Sequence, residues 1–90
     1  MSPVNVTPQP TPNPNSVKFT LDRPVVVGDS KSYFSPEEAD TPLAKMLFEV
    51  EGVAGLFFLN NFITVTKSPD ADWNTVVPDV EERIKKYFSG

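Results

Sequence analysis

The segment VAGLFFLNNFITVTK, residues 53–67, decides the fold of this chain. It contains two runs rich in apolar and β-branched residues, Val53–Leu59 and Phe62–Lys67, which are typical of β-strands. Asn60-Asn61 separates the two runs, and asparagine tolerates the positive φ angle that a two-residue hairpin turn requires. The segment therefore predicts an antiparallel β-hairpin.

The second strand of this hairpin is predicted to have one buried face. Successive side chains of a strand point to opposite faces, so Ile63 and Val65 lie on the same side. The opposite side carries Phe62, Thr64 and Thr66. Because one side is aliphatic and the other bears mostly hydroxyl groups, we expect only one face of the sheet to be covered.

Further strands are predicted on the N-terminal side of the hairpin. Apolar and polar residues alternate over residues 17–22, which indicates a half-buried strand. Residues 25–27 are expected to resume this strand after Pro24, and Gly28-Asp29-Ser30 has the composition of a turn before a short strand at residues 31–35. This pattern predicts a hairpin across Gly28.

Residues 1–15 contain five of the ten prolines, so they are predicted to form an extended segment, with the packed domain over residues 16–90.

Two helices are predicted. Thr41-Pro42 is typical of an N-cap followed by the first helical residue, and apolar residues at helical spacing continue to a predicted helix over residues 42–51. Gly52 is placed where a helix commonly ends in a left-handed residue. A second amphipathic helix is expected to begin at Trp73, and Pro78 is expected to kink it or to separate a first turn from residues 79–88.

The predicted order of elements is β-β-α-β-β-α. This order favours an α+β fold with two layers, in which two helices cover one face of a mostly antiparallel sheet. The chain of 90 residues is long enough for one such domain.

Composition excludes most kinds of chemistry for these residues. The chain has no cysteine and no histidine, which removes thiolate ligands for zinc or clusters, thiol nucleophiles and the commonest general base. We therefore expect neither an enzyme, nor a metal site, nor a cofactor.

The net charge of −4 argues against a nucleic-acid partner, and the absence of a long apolar run argues against a membrane span. The N-terminus lacks the basic and apolar regions of a signal peptide, so a cytoplasmic protein is expected.

Three segments carry a resemblance to a known family. The string TPNPNSVKF at residues 11–19, the run over residues 41–67 and the helix containing Trp73, Pro78 and Ile84 resemble the N-terminal domain of NifU-like (Nfu) iron–sulfur cluster scaffold proteins. The resemblance implies that, in two-domain members of that family, a separate C-terminal domain with a CxxC pair carries the cluster. It therefore implies that this cysteine-free chain is a non-enzymatic accessory module of cluster assembly or delivery, acting on an assembly or client protein. The alternative is a stand-alone protein-binding module unrelated to iron–sulfur clusters.

Partner-binding residues are predicted on the uncovered face of the sheet and in the loop beside it. Phe57 and Phe58 are adjacent, so one of them must join Phe62 on that face, where it forms a contact patch or is covered by the N-terminal segment or by a second copy of the chain. A solvated sheet face and a turn that starts the first strand are the alternative interpretations of these residues. The predicted partner-binding residues are Asn13, Pro14, Asn15, Lys18, Phe62, Thr64, Thr66 and Lys67.

Overall fold

Five strands and two helices make up the fold in a computed structural model, which describes residues 4–26 and 28–89. The α+β class predicted from the sequence is confirmed. In chain order the elements are β1 (Val6–Pro10), β2 (Ser16–Leu21), β3 (Lys31–Tyr33), a short 3-10 helix (Pro36–Glu38), α1 (Pro42–Phe48), β4 (Val53–Leu59), β5 (Phe62–Lys67) and α2 (Trp73–Ser89).

The predicted hairpin of β4 and β5 lies within the sheet, whose strand order is β1-β2-β5-β4-β3 with antiparallel pairs throughout. Asn60 in its turn has φ of 51°, as the hairpin prediction requires. In this hairpin Phe58 is paired with Ile63, and Leu56 is paired with Val65. The hairpin is confirmed, and its aliphatic side contributes the middle of the core.

Strand β2 extends the same apolar face. Phe19 of β2 stands opposite Ile63 of β5, and both side chains have no solvent exposure. The two helices pack on this face and complete a single core, to which α1 contributes Leu43, Ala44 and Leu47, and α2 contributes Val76, Val80 and Ile84. The two-layer architecture with helices on one face is therefore as predicted.

The predicted hairpin across Gly28 is wrong. Strand β2 has β1 on one edge and β5 on the other, so neither edge is free for β3. Strand β3 instead pairs with the free edge of β4, at the far side of the sheet. The chain after β2 passes the β4–β5 turn, where Leu21 N–H donates to Asn61 O and Val25 N–H to Asn60 O, both at 2.8 Å. Part of the predicted strand, at residue 27, lies outside the described residues.

Strand β1 was not predicted. The prolines indicated an extended segment before a domain beginning at residue 16, but Val6–Pro10 also pairs with β2 over its whole length. Pro8 and Pro10 obscured the strand pattern, and they are tolerated because proline fits an edge strand where its missing N–H faces away from the neighbouring strand. The buried side chain of Val4 belongs to the core as well. The packed structure thus begins about ten residues before the position that the sequence indicates.

Helix α1 begins as predicted and ends earlier. The Thr41 side chain accepts a hydrogen bond from the Ala44 N–H at 3.2 Å, so Thr41 is the N-cap. The helix ends at Phe48 instead of residue 51, and Gly52 has φ of +97°. A Cβ atom on Gly52 would lie 2.7 Å from the Cβ of Ala71, so both the backbone angle and the close packing require glycine.

Helix α2 is continuous through Pro78, so the predicted separation of a first turn is wrong. A proline at this position removes one hydrogen bond, to the carbonyl of Asn74 in the exposed first turn, where water can replace it. Within the described residues, neither α1 nor α2 is long and apolar enough to cross a bilayer.

The one-sided sheet gives a first testable prediction. Phe19→Ala should lower the free energy of unfolding by about 3–5 kcal/mol, because it removes a fully buried aromatic ring. Thr64→Ala, on the opposite side of the adjacent strand, should lower it by less than about 1 kcal/mol. Urea denaturation of the two variants measures the difference. Equal losses would contradict the assignment of the two faces.

Candidate protein-contact surface

The side of the sheet opposite the helices is the candidate site, and we call it the open face. The strand register determines which side chains lie on this face, because residues paired across two strands lie on the same side of the sheet. Both helices pack on the other side. The open face carries Thr7, Gln9, Ser16, Lys18, Thr20, Ser32, Gly55, Phe57, Leu59, Phe62, Thr64 and Thr66.

An aromatic pair lies on the open face. Phe57 is paired with Thr64 and is the phenylalanine of this side, whereas Phe58 is buried in the core. The rings of Phe57 and Phe62 have centroids 6.3 Å apart and an interplanar angle of 48°. Lys18 Nζ lies 4.3 Å from the centroid of the Phe62 ring, within the range of a cation–π interaction. The two half-buried rings and the lysine therefore form one connected cluster on three strands.

A groove of about 400 Å³ continues this cluster toward the edge of the sheet. Gly55, Phe34 and Phe57 are among the residues that line the groove. Phe34, directly after β3, is 78% exposed. A Cβ atom on Gly55 would be 3.3 Å from the carbonyl oxygen of Tyr33, so glycine also allows close approach of β3 and β4. The aromatic surface thus extends from the β3 edge to β5, where Lys18 of β2 adjoins it.

Hydroxyl and amide groups border the aromatic residues. The hydroxyls of Ser16 and Thr66 lie 3.0 Å apart and share a hydrogen bond. Thr20 Oγ1 donates to Gln9 Oε1 at 3.3 Å. An apolar area with a polar border is the usual composition of a protein contact.

The Asn13-Pro14-Asn15 loop is a hydrogen-bonded turn that leads into β2. Asn15 N–H donates to Asn13 Oδ1 at 2.9 Å, and Ser16 N–H donates to the carbonyl of Asn13 at 3.0 Å. The indole Nε1–H of Trp73 donates to the carbonyl of Pro14 at 3.0 Å. These bonds favour the interpretation of the loop as a turn that starts the strand, and they also attach it to the beginning of α2.

Lys67 belongs to this loop and not to the open face. It has the same parity in β5 as Ile63 and Val65, so its side chain lies on the helix side, where it is 9% exposed. Its Nζ donates to Asn15 Oδ1 at 3.1 Å and to the carbonyl of Ser68 at 3.3 Å.

The predicted residues therefore divide into two groups. Four lie on the open face: Lys18, Phe62, Thr64 and Thr66. The other four lie at the end of the sheet near Trp73, in a cluster that we call the loop anchor: Asn13, Pro14, Asn15 and Lys67. Within the open face, Phe62 borders the β4–β5 turn and Thr66 borders the loop anchor, so the aromatic pair lies toward one end of the face.

Sequence reasoning missed three contributors to these groups. Phe34 was placed within the predicted strand of residues 31–35 without a role, whereas β3 ends at Tyr33 and leaves Phe34 exposed. Gly55 was not noticed, because only the pairing of β3 shows the groove that it lines. Trp73 was predicted to lie in the last helix, and its hydrogen bond to a loop carbonyl had no signal in the sequence.

Charge and metal-binding capacity are limited in this region. Lys18 is the charged residue among the open-face positions given above, and none of the five strands in the described residues contains Asp or Glu. Tyr33, on the helix side, donates its hydroxyl to Asp40 Oδ1 at 2.6 Å, and burial followed by this hydrogen bond raises the pKa of Tyr33. Within the described parts of the chain, no group of three or more carboxylates is arranged to hold a metal ion.

Comparisons with known proteins agree with the fold and the motifs. The family described as "Scaffold protein Nfu/NifU N terminal" matches residues 6–90. The human protein named "NFU1 iron-sulfur cluster scaffold homolog, mitochondrial" is 43% identical over 83 residues, covering 90% of this chain and 33% of the human one. The Arabidopsis thaliana protein named "NifU-like protein 5, mitochondrial" is 37% identical over 82 residues, covering 90% of this chain and 30% of its own length. The chain thus spans about a third of the length of these relatives.

A solved structure is also similar. The crystal structure of protein SAV1430 from Staphylococcus aureus superposes with a TM-score of 0.79 at 32% identity, covering 89% of this chain and 98% of that one. It supports the fold over most of the described residues.

The expectation of a cytoplasmic protein is contradicted by the relatives. Both the human and the Arabidopsis proteins are named as mitochondrial. The expectation depended on composition and on the first residues of the chain, and an acidic composition without cysteine does not distinguish the two compartments.

The loop anchor gives a second testable prediction. Trp73→Phe should lower the free energy of unfolding by about 1 kcal/mol, because it removes the indole hydrogen bond to the Pro14 carbonyl and keeps an aromatic ring. Amide hydrogen exchange should accelerate at Asn15 and Ser16. Tyr87→Phe, an exposed aromatic change on the same helix, is the control and should change neither quantity. Equal effects of the two substitutions would show that the indole does not hold the loop.

Proposed function

The chain belongs to the Nfu/NifU N-terminal scaffold family, and on this premise we propose that it is a non-enzymatic module of iron–sulfur cluster assembly that acts by protein–protein contact. The observation that carries the proposal is the family match over residues 6–90 together with an open sheet face that bears an aromatic cluster. The human and Arabidopsis relatives are about three times as long, so this chain corresponds to one part of them.

The residue types available support a contact role over a catalytic one. The 90 residues contain no cysteine or histidine, so they offer no thiolate or imidazole to hold a cluster. The carboxylates lie outside the strands and are absent from the open face. In the proposed role, the cluster is the cargo of another polypeptide or segment, which this module contacts.

The open face is the proposed contact surface. Phe57 and Phe62 contact each other across β4 and β5, and the strands that carry them are fixed by the core on their other side. Rigid aromatic side chains lose little conformational entropy when a partner covers them, which makes them effective anchors. The partner is proposed to be an iron–sulfur assembly or client protein, and the compartment follows the relatives' names and is mitochondrial.

The absence of cluster ligands gives a third testable prediction. After anaerobic incubation of the purified 90-residue chain with iron, sulfide and a thiol reductant, followed by desalting, we expect no cluster absorbance in the visible range. A protein with a CxxC pair, treated in the same way, is the positive control. A chromophoric cluster retained in stoichiometric amount by this chain alone would contradict the accessory role.

A fourth prediction tests the contact surface. The chain is immobilised, proteins of a mitochondrial extract are captured on it, and an identified partner is then titrated against wild type and Phe62→Ala. The variant should weaken binding by more than about 1 kcal/mol if Phe62 is an anchor. Its melting temperature should change little, because Phe62 is only half-buried and lies opposite the core.

Tyr87→Ala is the matched control, since it removes an exposed aromatic ring from α2, away from the open face. This control should bind the partner as wild type does. Unchanged affinity of Phe62→Ala would remove Phe62 from the contact, and a large loss of thermal stability would assign it to the core. Reproducible capture of proteins unrelated to iron–sulfur clusters, without any assembly or client protein, would favour the alternative of an unrelated binding module.

A further inference from the structure

Charge is distributed unevenly between the sheet and the rest of the molecule. The chain carries twelve Asp and Glu residues, and all of them lie outside the five strands. The strands contain the lysines Lys18, Lys31 and Lys67, and only Lys18 lies on the open face. The open face of this acidic molecule thus carries one ammonium group, and its strand residues include no carboxylate.

Lys18 occupies the part of the open face where a partner would pack. Its Nζ lies 4.3 Å from the centre of the Phe62 ring, and that ring contacts Phe57. Within the described residues Lys18 forms no ion pair, because the ion pairs found there involve Arg23 and Arg83. The ammonium group is therefore held beside the aromatic pair by the ring and not neutralised by an acidic neighbour.

From this arrangement we infer the chemistry of the partner: it is a protein whose contact surface carries a carboxylate that meets Lys18, next to an apolar side chain that packs on Phe57 and Phe62. This inference rests on the proposed function for the role of the open face and specifies its partner. The complementarity favours this face for an acidic surface, because all twelve carboxylates lie in the loops and helices of the chain and none lies on its strands. The attraction acts at contact range, since charges farther apart than about 8 Å are screened at physiological ionic strength.

Two other occupants fit the open face less well. A second copy of the chain, joined face to face, would bring a second Lys18 and no carboxylate from the strands, so neither ammonium would be neutralised. Single-stranded nucleic acid could stack on the phenylalanine rings, but its affinity depends on several cations along the backbone, and the open face offers one on a chain of net charge −4. Both occupants are included in the test as outcomes.

The test uses two matched peptides as probes. Each has 16 residues with the same leucine and phenylalanine positions on one side of an amphipathic helix; one carries glutamate at the charged positions and the other carries lysine. They are titrated into the isotope-labelled chain at low salt, and the amide signals are followed. We expect the acidic peptide to bind about tenfold more tightly, with the largest changes in β2, β4 and β5 around Lys18, Phe57 and Phe62.

Charge reversal identifies the group responsible. Lys18→Glu should abolish or invert the preference for the acidic peptide, because it replaces the ammonium beside the aromatic pair by a carboxylate. Lys45→Glu changes the net charge equally but lies on α1, on the other layer of the molecule, and should keep the preference. Thermal unfolding of both variants checks that the fold is intact, and Lys18→Gln, which should reduce the preference without inverting it, replaces Lys18→Glu if that variant unfolds.

Several outcomes would overturn the inference. These are equal binding of the two peptides, a preference for the basic peptide, no binding of either, signal changes confined to the loop anchor or the helices, or a preference that survives Lys18→Glu. Self-association through the open face in sedimentation experiments, or tighter binding of a single-stranded oligonucleotide than of the acidic peptide, would assign the face to another occupant and overturn it as well.

The failure of this inference differs from the failure of the proposed function. If an iron–sulfur assembly protein is captured but binds equally well to Lys18→Glu, the function stands and the partner chemistry is wrong. If the acidic peptide binds as expected and no iron–sulfur protein is captured, the partner chemistry stands and the assignment to cluster assembly is wrong.

Discussion

The contact between Phe19, Ile63 and Phe58 across three neighbouring strands is the interaction on which the rest of the structure depends. Ile63 stands opposite Phe19 on one side and opposite Phe58 on the other, and all three are buried beneath the helices. A shift of β5 by one residue would bring Phe62 and the threonines into this core and expose Ile63 and Val65. The buried apolar residues therefore fix the strand register, and the register in turn decides which side chains remain on the open face.

Local patterns in the sequence were sufficient for the centre of the fold. Alternation in β5, the turn at Asn60 and the cap at Thr41 are each determined by neighbours within a few residues, and all were predicted correctly. The position of β3 was not, because it depends on which strand edges the remaining chain leaves free. Strand β1 was missed for a related reason: its pairing with β2 compensates for two prolines whose local effect is to interrupt a strand.

The candidate site was predictable to a similar extent. Parity along β2 and β5 identified Lys18, Phe62, Thr64 and Thr66 as one surface. The same parity places Lys67 on the other side of the sheet, whereas the prediction grouped Lys67 with the rest of the family motif. The motif of the resemblance thus combines two physical roles: part of it forms a surface, and part of it, with the asparagine–proline loop and Trp73, holds the beginning of β2 against α2.

The two edges of the sheet have a consequence for solubility. A chain that keeps phenylalanine rings partly exposed next to unpaired strand edges risks polymerising into fibrils, in which each molecule extends the sheet of the next. Pro8 and Pro10 deprive the β1 edge of the N–H groups that an incoming strand would use, and β3 offers only three residues at the opposite edge. The same prolines that hide β1 from sequence reasoning thus hinder strand addition at that edge of a molecule whose aromatic rings are partly exposed.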